Sequence, residues 1–179
     1  MAAAPRAVYL VAGKGRPAAD LARRPEVRVV RTYPELKRAA AGRMAVWIDA
    51  DAIPLLLTAG DGVEGWVRRK LWDGSPFVVV GYRDATYAFT RLPWFGIEEP
   101  QAEPDVLPRH PPVNPVRPKV WKLDEVKGGF SVIAMTVTAA GGGVTQTWRR
   151  RGYGQEPTLD AILAVTDRLN KGEEPPERP

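Results

Sequence analysis

The chain has no cysteine and only one histidine, His110, in 179 residues. Without thiols it can build no disulfide framework, no thiolate metal site and no cysteine nucleophile. One imidazole excludes a multi-histidine zinc site. It also leaves a serine–histidine arrangement only Ser75 and Ser131 to draw on, one at a strand start and one mid-strand. No apolar run approaches the roughly 20 residues of a membrane-spanning helix, so no membrane partner is expected. The first residues, Met-Ala-Ala-Ala-Pro-Arg, lack the long apolar stretch of a secretory leader, and a cytoplasmic location is the expectation.

What is present is ordinary globular composition, 44% apolar and 26% charged, at a length that suits one domain or two small ones. Lys and Arg number 26 against 21 acids, a net charge of +5 with a pI near 9.7. The excess lies in residues 1–97, with 15 basic and 9 acidic groups. Such a balance permits an acidic partner such as nucleic acid without demanding one.

Short apolar runs alternate with amphipathic stretches through residues 6–97. Strands are predicted at 7–11, 27–31, 44–48 and 77–80, with a stub at 95–97. Between them, Pro17 opens a short helix through Arg24, Thr32 with Glu35 forms a capping box ahead of a helix ending at Gly42, and Val63, Trp66, Val67 and Leu71 stripe a helix over 63–72. Asp84 to Arg91 reads as one more short helix. This alternation predicts a parallel α/β sheet.

Residues 98–118 hold seven prolines and four acids and read as an extended linker, with His110 solvent-exposed inside it. From 119 the period changes to two. Val120–Leu123 begins a strand, Gly128-Gly129 reads as a hairpin turn, Phe130–Thr138 as a long strand, Gly141–Gly143 as a second turn and Val144–Arg151 as a third strand. A helix from about Pro157 to Asn170 completes a βββα unit over 119–171, and 172–179 reads as a disordered tail. A unit this small sits near the limit of independent stability, so it either stands apart or packs on the first lobe and extends its sheet.

Three places carry candidate chemistry. Asp49 and Asp51 fall at the carboxyl end of the third strand, where open α/β sheets bind ligands. Two apart, they suit Mg²⁺ with water and a phosphate, and Asp84 is a possible third ligand; the plainer role is to cap or turn the chain. The stretch Gly13-Lys14-Gly15-Arg16-Pro17-Ala18 follows a strand and opens a helix, as a phosphate-binding loop does. It lacks the acid about 20 residues on that a dinucleotide site uses, Arg31 and Thr32 standing there, and the Ser or Thr of a Walker loop. Third, Trp148-Arg149-Arg150-Arg151 lies on a strand, so Arg149 and Arg151 face one way and Trp148 and Arg150 the other. Arginine forks suit phosphates and stack on bases. Arg68-Arg69-Lys70 reads as a solvated helix face. Of six tryptophans, Trp47, Trp66 and Trp121 suit core positions, and Trp94-Phe95 either packs between lobes or anchors a partner.

Residues 45–80 resemble the middle of a response-regulator receiver domain. Ala-Val-Trp-Ile-Asp49-Ala-Asp51 is similar to the strand that ends in the phosphorylated Asp. Ile53-Pro54 and Asp61-Gly62 resemble the following loop, Trp66–Leu71 its helix and Ser75–Val80 the next strand. Active receivers place a pair of Mg²⁺-holding acids after the first strand, where this chain has Gly13-Lys14-Gly15. The family's Ser or Thr falls near Gly81 or Tyr82, and its Lys has no match near Gly96-Ile97. The resemblance therefore implies a flavodoxin-like, degenerate receiver lobe used for protein contact and not as a phosphorylation switch. The βββα unit somewhat resembles the small sheet domains with which some integrases grip DNA, on Gly152-Tyr153 and Asp160-Ala161.

The expectation is a non-catalytic regulatory or adaptor protein that binds a protein partner and, through the basic strand, nucleic acid. It needs no cofactor. The alternative is a nucleotide-binding or Mg²⁺-dependent phosphoryl-transfer enzyme built on Gly13–Gly15 and Asp49/Asp51.

Overall fold

A computed structural model of the chain describes residues 4–13, 21, 24–97 and 120–179. Four short strands come first: β1 (Ala7–Leu10), β2 (Val27–Val30), β3 (Ala45–Asp49) and β4 (Phe77–Tyr82). Two long ones follow, β5 (Lys127–Ala140) and β6 (Gly143–Tyr153). All six form one sheet in the order β2-β1-β3-β4-β5-β6. The first four pair in parallel, and β5 and β6 join antiparallel. Parallel strands buried on both faces need continuous apolar runs, and β1 (Ala-Val-Tyr-Leu) and the start of β4 (Phe-Val-Val-Val) supply them.

Helices α1 (Tyr33–Ala39), α2 (Ile53–Leu57), α3 (Val63–Trp72) and α4 (Ala85–Thr90) precede the short α5 (Leu123–Val126) and α6 (Leu159–Asn170). The expected capping box at α1 forms: the Thr32 hydroxyl accepts from the Glu35 amide at 3.3 Å, and Glu35 accepts from the Thr32 amide at 3.2 Å. Such a cap stabilises a helix by about 1 kcal/mol. Residues of α1 to α4 and the 3₁₀ turn Pro93–Phe95 cover one face of the sheet, where Trp66, Phe77, Phe89 and Phe95 meet edge-on or tilted. The other face is covered by α6 and Leu21.

The second half of the chain is not a separate unit. Ile133 and Met135 of β5 belong to the same core as Val46 and Trp66, and Ile162 of α6 shares the opposite core with Tyr9 and Trp47. The sheet is mixed, parallel through β4 and antiparallel from β5 on, and its first five strands follow the order 2-1-3-4-5.

Three local expectations are corrected. Residues 120–123 form no strand; Trp121 is half-buried against the Tyr87 ring, 5.5 Å between centroids, and α5 begins at Leu123. The predicted stub at 95–97 is the 3₁₀ turn closed at Gly96. Gly128-Gly129 is no hairpin turn but lies inside β5, whose register slips against β4 between Val80 and Tyr82. Gly129 has φ +65°, and a Cβ there would meet the Tyr153 carbonyl oxygen at 1.9 Å, so only glycine lets β5 pass this close to β6.

The tail is also placed. Tyr153 donates its hydroxyl to the Pro176 carbonyl at 2.7 Å, Arg168 pairs with Glu173 and Arg149 with Glu174. The linker 98–118, with His110, lies outside the described residues, as do Lys14, Gly15, Arg16 and Pro17.

Candidate functional site

The carboxyl ends of β1 and β3 meet where the strand order reverses, the usual ligand position in such sheets. Asp49 stands there, but its oxygens are engaged. Tyr9 donates its hydroxyl to Oδ2 at 2.5 Å, and the Asp51 amide donates to Oδ1 at 3.0 Å, so Asp49 caps the 3₁₀ turn Ala50–Ala52. Burial, and then the Asp49 carboxylate beside it, raise the Tyr9 pKa, so this phenol stays a donor. Asp51 is exposed. Asp84 caps α4 by accepting from the Tyr87 amide at 2.9 Å. Among the described residues no three His, Cys, Asp or Glu side chains gather as metal ligands. In its contacts Asp49 caps the turn, and Asp51 meets it through the backbone amide. Of the predicted phosphate loop, Gly13 alone is described; its carbonyl, with that of Ala12, accepts from the Arg31 guanidinium.

Both serines are fully buried, and Ser131 donates to the Tyr82 carbonyl at 2.8 Å. Neither is presented to a substrate.

The basic strand divides as its period requires. Ala134 pairs with Arg149 and Val132 with Arg151 on the α6 face, whereas Met135 pairs with Trp148 and Ile133 with Arg150 on the α3 face. Arg149 is only 16% exposed. Its Nη1 donates to the Thr136 hydroxyl at 2.8 Å, and its Nε lies 3.0 Å from Oε1 of Glu174. It therefore holds the tail. Arg151 is half-buried on the same face. Arg150 is exposed on the opposite one.

On that opposite face, β6, α3 and the Pro93–Phe95 turn enclose a groove of about 230 Å³. Trp72, Trp94 and Trp148 line it together with Arg68, Met135 and Gln146, and among the described residues no acid contributes to the lining. Trp72 is 50% and Trp148 43% exposed. An amphipathic helix hides the apolar stripe of α3 (Val63, Trp66, Val67, Leu71) in the core and leaves Arg68 and Trp72 outside it. Sequence reasoning named Trp148 and weighed Trp94 as an anchor but did not bring Trp72 and Arg68 to them. That needs the knowledge that β6 ends the same sheet that α3 covers. Of Arg68-Arg69-Lys70, expected as a solvated helix face, Arg68 and Arg69 are exposed but Lys70 is buried, which corrects that reading. Arg68 pairs with Glu64 at 2.7 Å, and Lys70 turns inward, its ammonium donating to the Gly42 carbonyl at 2.7 Å with its pKa lowered by burial.

No protein-family model matches this chain, and neither curated proteins nor solved structures supply a match. Among the described residues no helix is long and apolar enough to cross a membrane.

Proposed function

We propose that the chain is a non-catalytic binding protein whose ligand surface is the tryptophan groove between α3 and β6, and that the ligand is single-stranded nucleic acid. The observation that carries this reading is the groove itself: three tryptophans in one depression, two of them about half exposed, with Arg68, the ion-pair partner of Glu64, among them and no acid among the described residues of the lining. Bases stack on exposed indoles whatever their sequence, for about 1–3 kcal/mol each, while arginines meet the phosphates. Arg150, exposed on the same face of β6, extends the cationic side, and the net charge of +5 favours approach by a polyanion. The basic strand remains the reading of the sequence, but with Trp148 and Arg150 as its ligand-facing members. Asp49, Asp84 and the two serines, the groups a phosphoryl-transfer or hydrolytic site would draw on, are engaged in caps or buried.

The test is fluorescence anisotropy of labelled oligothymidylate and oligouridylate, with tryptophan quenching read in parallel. Binding is expected to quench the indoles and to weaken steeply with salt. Trp148→Ala and Trp94→Ala are each expected to lower affinity tenfold or more. Absence of binding at low salt, or binding unchanged by both substitutions, overturns the reading.

A protein partner is the second reading, and one observation favours it: the outer edge of β6.

A further inference from the structure

β6 ends the sheet, and among the described residues no strand pairs with its outer edge. It runs for 11 residues and pairs with β5 without a break from Gly143 to Tyr153. Edge strands are commonly guarded by shortness, lysine, proline or a bulge. Residues 143–148, Gly-Val-Thr-Gln-Thr-Trp, have none of these. Val144 is 60% exposed. All the charge of the strand sits in its other half, at Arg149, Arg150 and Arg151.

The turn decides which backbone groups remain for a partner. Ala140 pairs with Gly143 across the two-residue loop Gly141-Gly142. In such a hairpin the flanking pair exchanges both backbone hydrogen bonds, and the pattern alternates from there. Thr145, Thr147 and Arg149 thus turn their amides and carbonyls to β5. Val144, Gln146, Trp148 and Arg150 turn theirs outward.

We propose that a second copy of this chain occupies this edge, β6 against β6, antiparallel about a two-fold axis at Thr147. Gln146 then faces Trp148 of the other copy as a hydrogen-bonded pair, Val144 faces Arg150, and Gly143 faces Arg151. Every arginine of one strand meets an uncharged residue of the other. In-register parallel pairing, or a two-fold moved onto the cations, sets like charges directly opposite and is unfavourable. Like-charge repulsion thus leaves one antiparallel register open to a second copy, the one that sets the cationic half of each strand against the uncharged half of the other. Both Trp148 side chains lie on the same sheet face at diagonal positions, with a spacing of about 7–8 Å. The two grooves open into one trough to which each copy contributes Gln146 and Trp148. The pairing rests on the strand edge and not on the ligand proposed above.

The absence of cysteine makes the test clean. Thr147 meets its own image at a non-hydrogen-bonded position, with Cβ atoms about 4.5–5.5 Å apart, close to disulfide reach. Under mild oxidation Thr147→Cys is expected to yield a covalent dimer. Val144→Cys, whose image lies about 20 Å away along the strand, is expected to stay monomeric on a denaturing gel. Light scattering of the parent chain is expected to show a dimer that dissociates on dilution. Gln146→Pro removes only an outward-facing amide, so it is expected to give a monomer with unchanged far-ultraviolet dichroism. Should that variant fail to fold, the cysteine pair decides alone. A parent chain that stays monomeric at high concentration overturns the proposal. So does a dimer in which Thr147→Cys crosslinks no faster than Val144→Cys. A foreign peptide on this edge gives the first of these results. None of the readouts involves nucleic acid, so this proposal and the groove's ligand stand or fall separately.

Discussion

The hydroxyl of Tyr9 reaches from β1 to Oδ2 of Asp49 at the end of β3, and this 2.5 Å contact ties the two central parallel strands together at their carboxyl ends. The Tyr9 ring also packs edge-on against Trp47, 6.1 Å between centroids. Tyr9→Phe keeps that packing and removes only the donor. It leaves a half-buried carboxylate short of one partner, so a loss of about 1–3 kcal/mol is expected. Urea unfolding measures it; a variant as stable as the parent would show that the contact contributes nothing. Asp49→Asn keeps an acceptor oxygen for the Asp51 amide but presents an NH₂, a donor, where Oδ2 accepts from Tyr9, so the phenol can only accept there and a loss of about 1–3 kcal/mol is expected again.

Alkaline pH should unfold the protein through its phenols. Burial pushes Tyr153 up to about 12 and raises Tyr9, Tyr33 and Tyr82 as well. An unfolded tyrosine titrates near 10. The folded state therefore holds these protons more tightly than the unfolded one. The stability they contribute is fully present below about pH 10 and is lost as pH rises through about 12. Urea midpoints taken across that window should fall, and Tyr153→Phe should flatten part of the fall. A midpoint that rises with pH there contradicts the sign.

Much of the fold could be read from residue order because the local signals agreed with the global result. The apolar runs at β1 and β4, the Thr32–Glu35 box and the stripe of α3 each have one low-energy reading. The double glycine at 128–129 has two. Positive φ serves a hairpin turn and a bulge equally well, and only the carbonyl of Tyr153 lying against Gly129 decides. The candidate site was legible residue by residue but not as an assembly. Trp148 and Arg150 declare a shared face through their spacing. That this face looks toward Trp72 and Trp94 follows from β5 joining β4, a contact bridging the whole linker and invisible to any local pattern. Arg149 looked equivalent to Arg150 in sequence because the tail that claims it, Glu174, sits 25 residues away in composition that reads as disordered.

Gly152 fixes how β6 meets the loop after β4. A Cβ there would stand 1.9 Å from the Arg83 carbonyl oxygen and 3.0 Å from the Ala85 amide. Backbone on both sides cannot step aside as a side chain can. Gly152→Ala is expected to cost about 4 kcal/mol or more, or to prevent folding. Gly143→Ala is the control, since its nearest neighbour would be 3.8 Å away, and it should change stability by under about 1 kcal/mol. Thermal melts of the two variants compare them directly; equal melting points would place β6 differently from the arrangement described.

Arg149 and Arg150 are adjacent in sequence and opposite in role, which makes their alanine variants a paired test of which face binds. Arg149 is spent on Thr136 and Glu174. Its removal should cost about 1 kcal/mol, since Glu174 is largely exposed and the pair is screened, and should loosen the tail from residue 174 onward to proteolysis. Nucleic-acid affinity should hardly change. Arg150 is exposed beside Trp148. Its removal should leave stability within about 0.5 kcal/mol while lowering affinity and reducing the salt slope by about one. If the assignments exchange, with Arg149→Ala losing the ligand and Arg150→Ala keeping it, binding belongs to the α6 face, and the tryptophan groove is not the ligand surface.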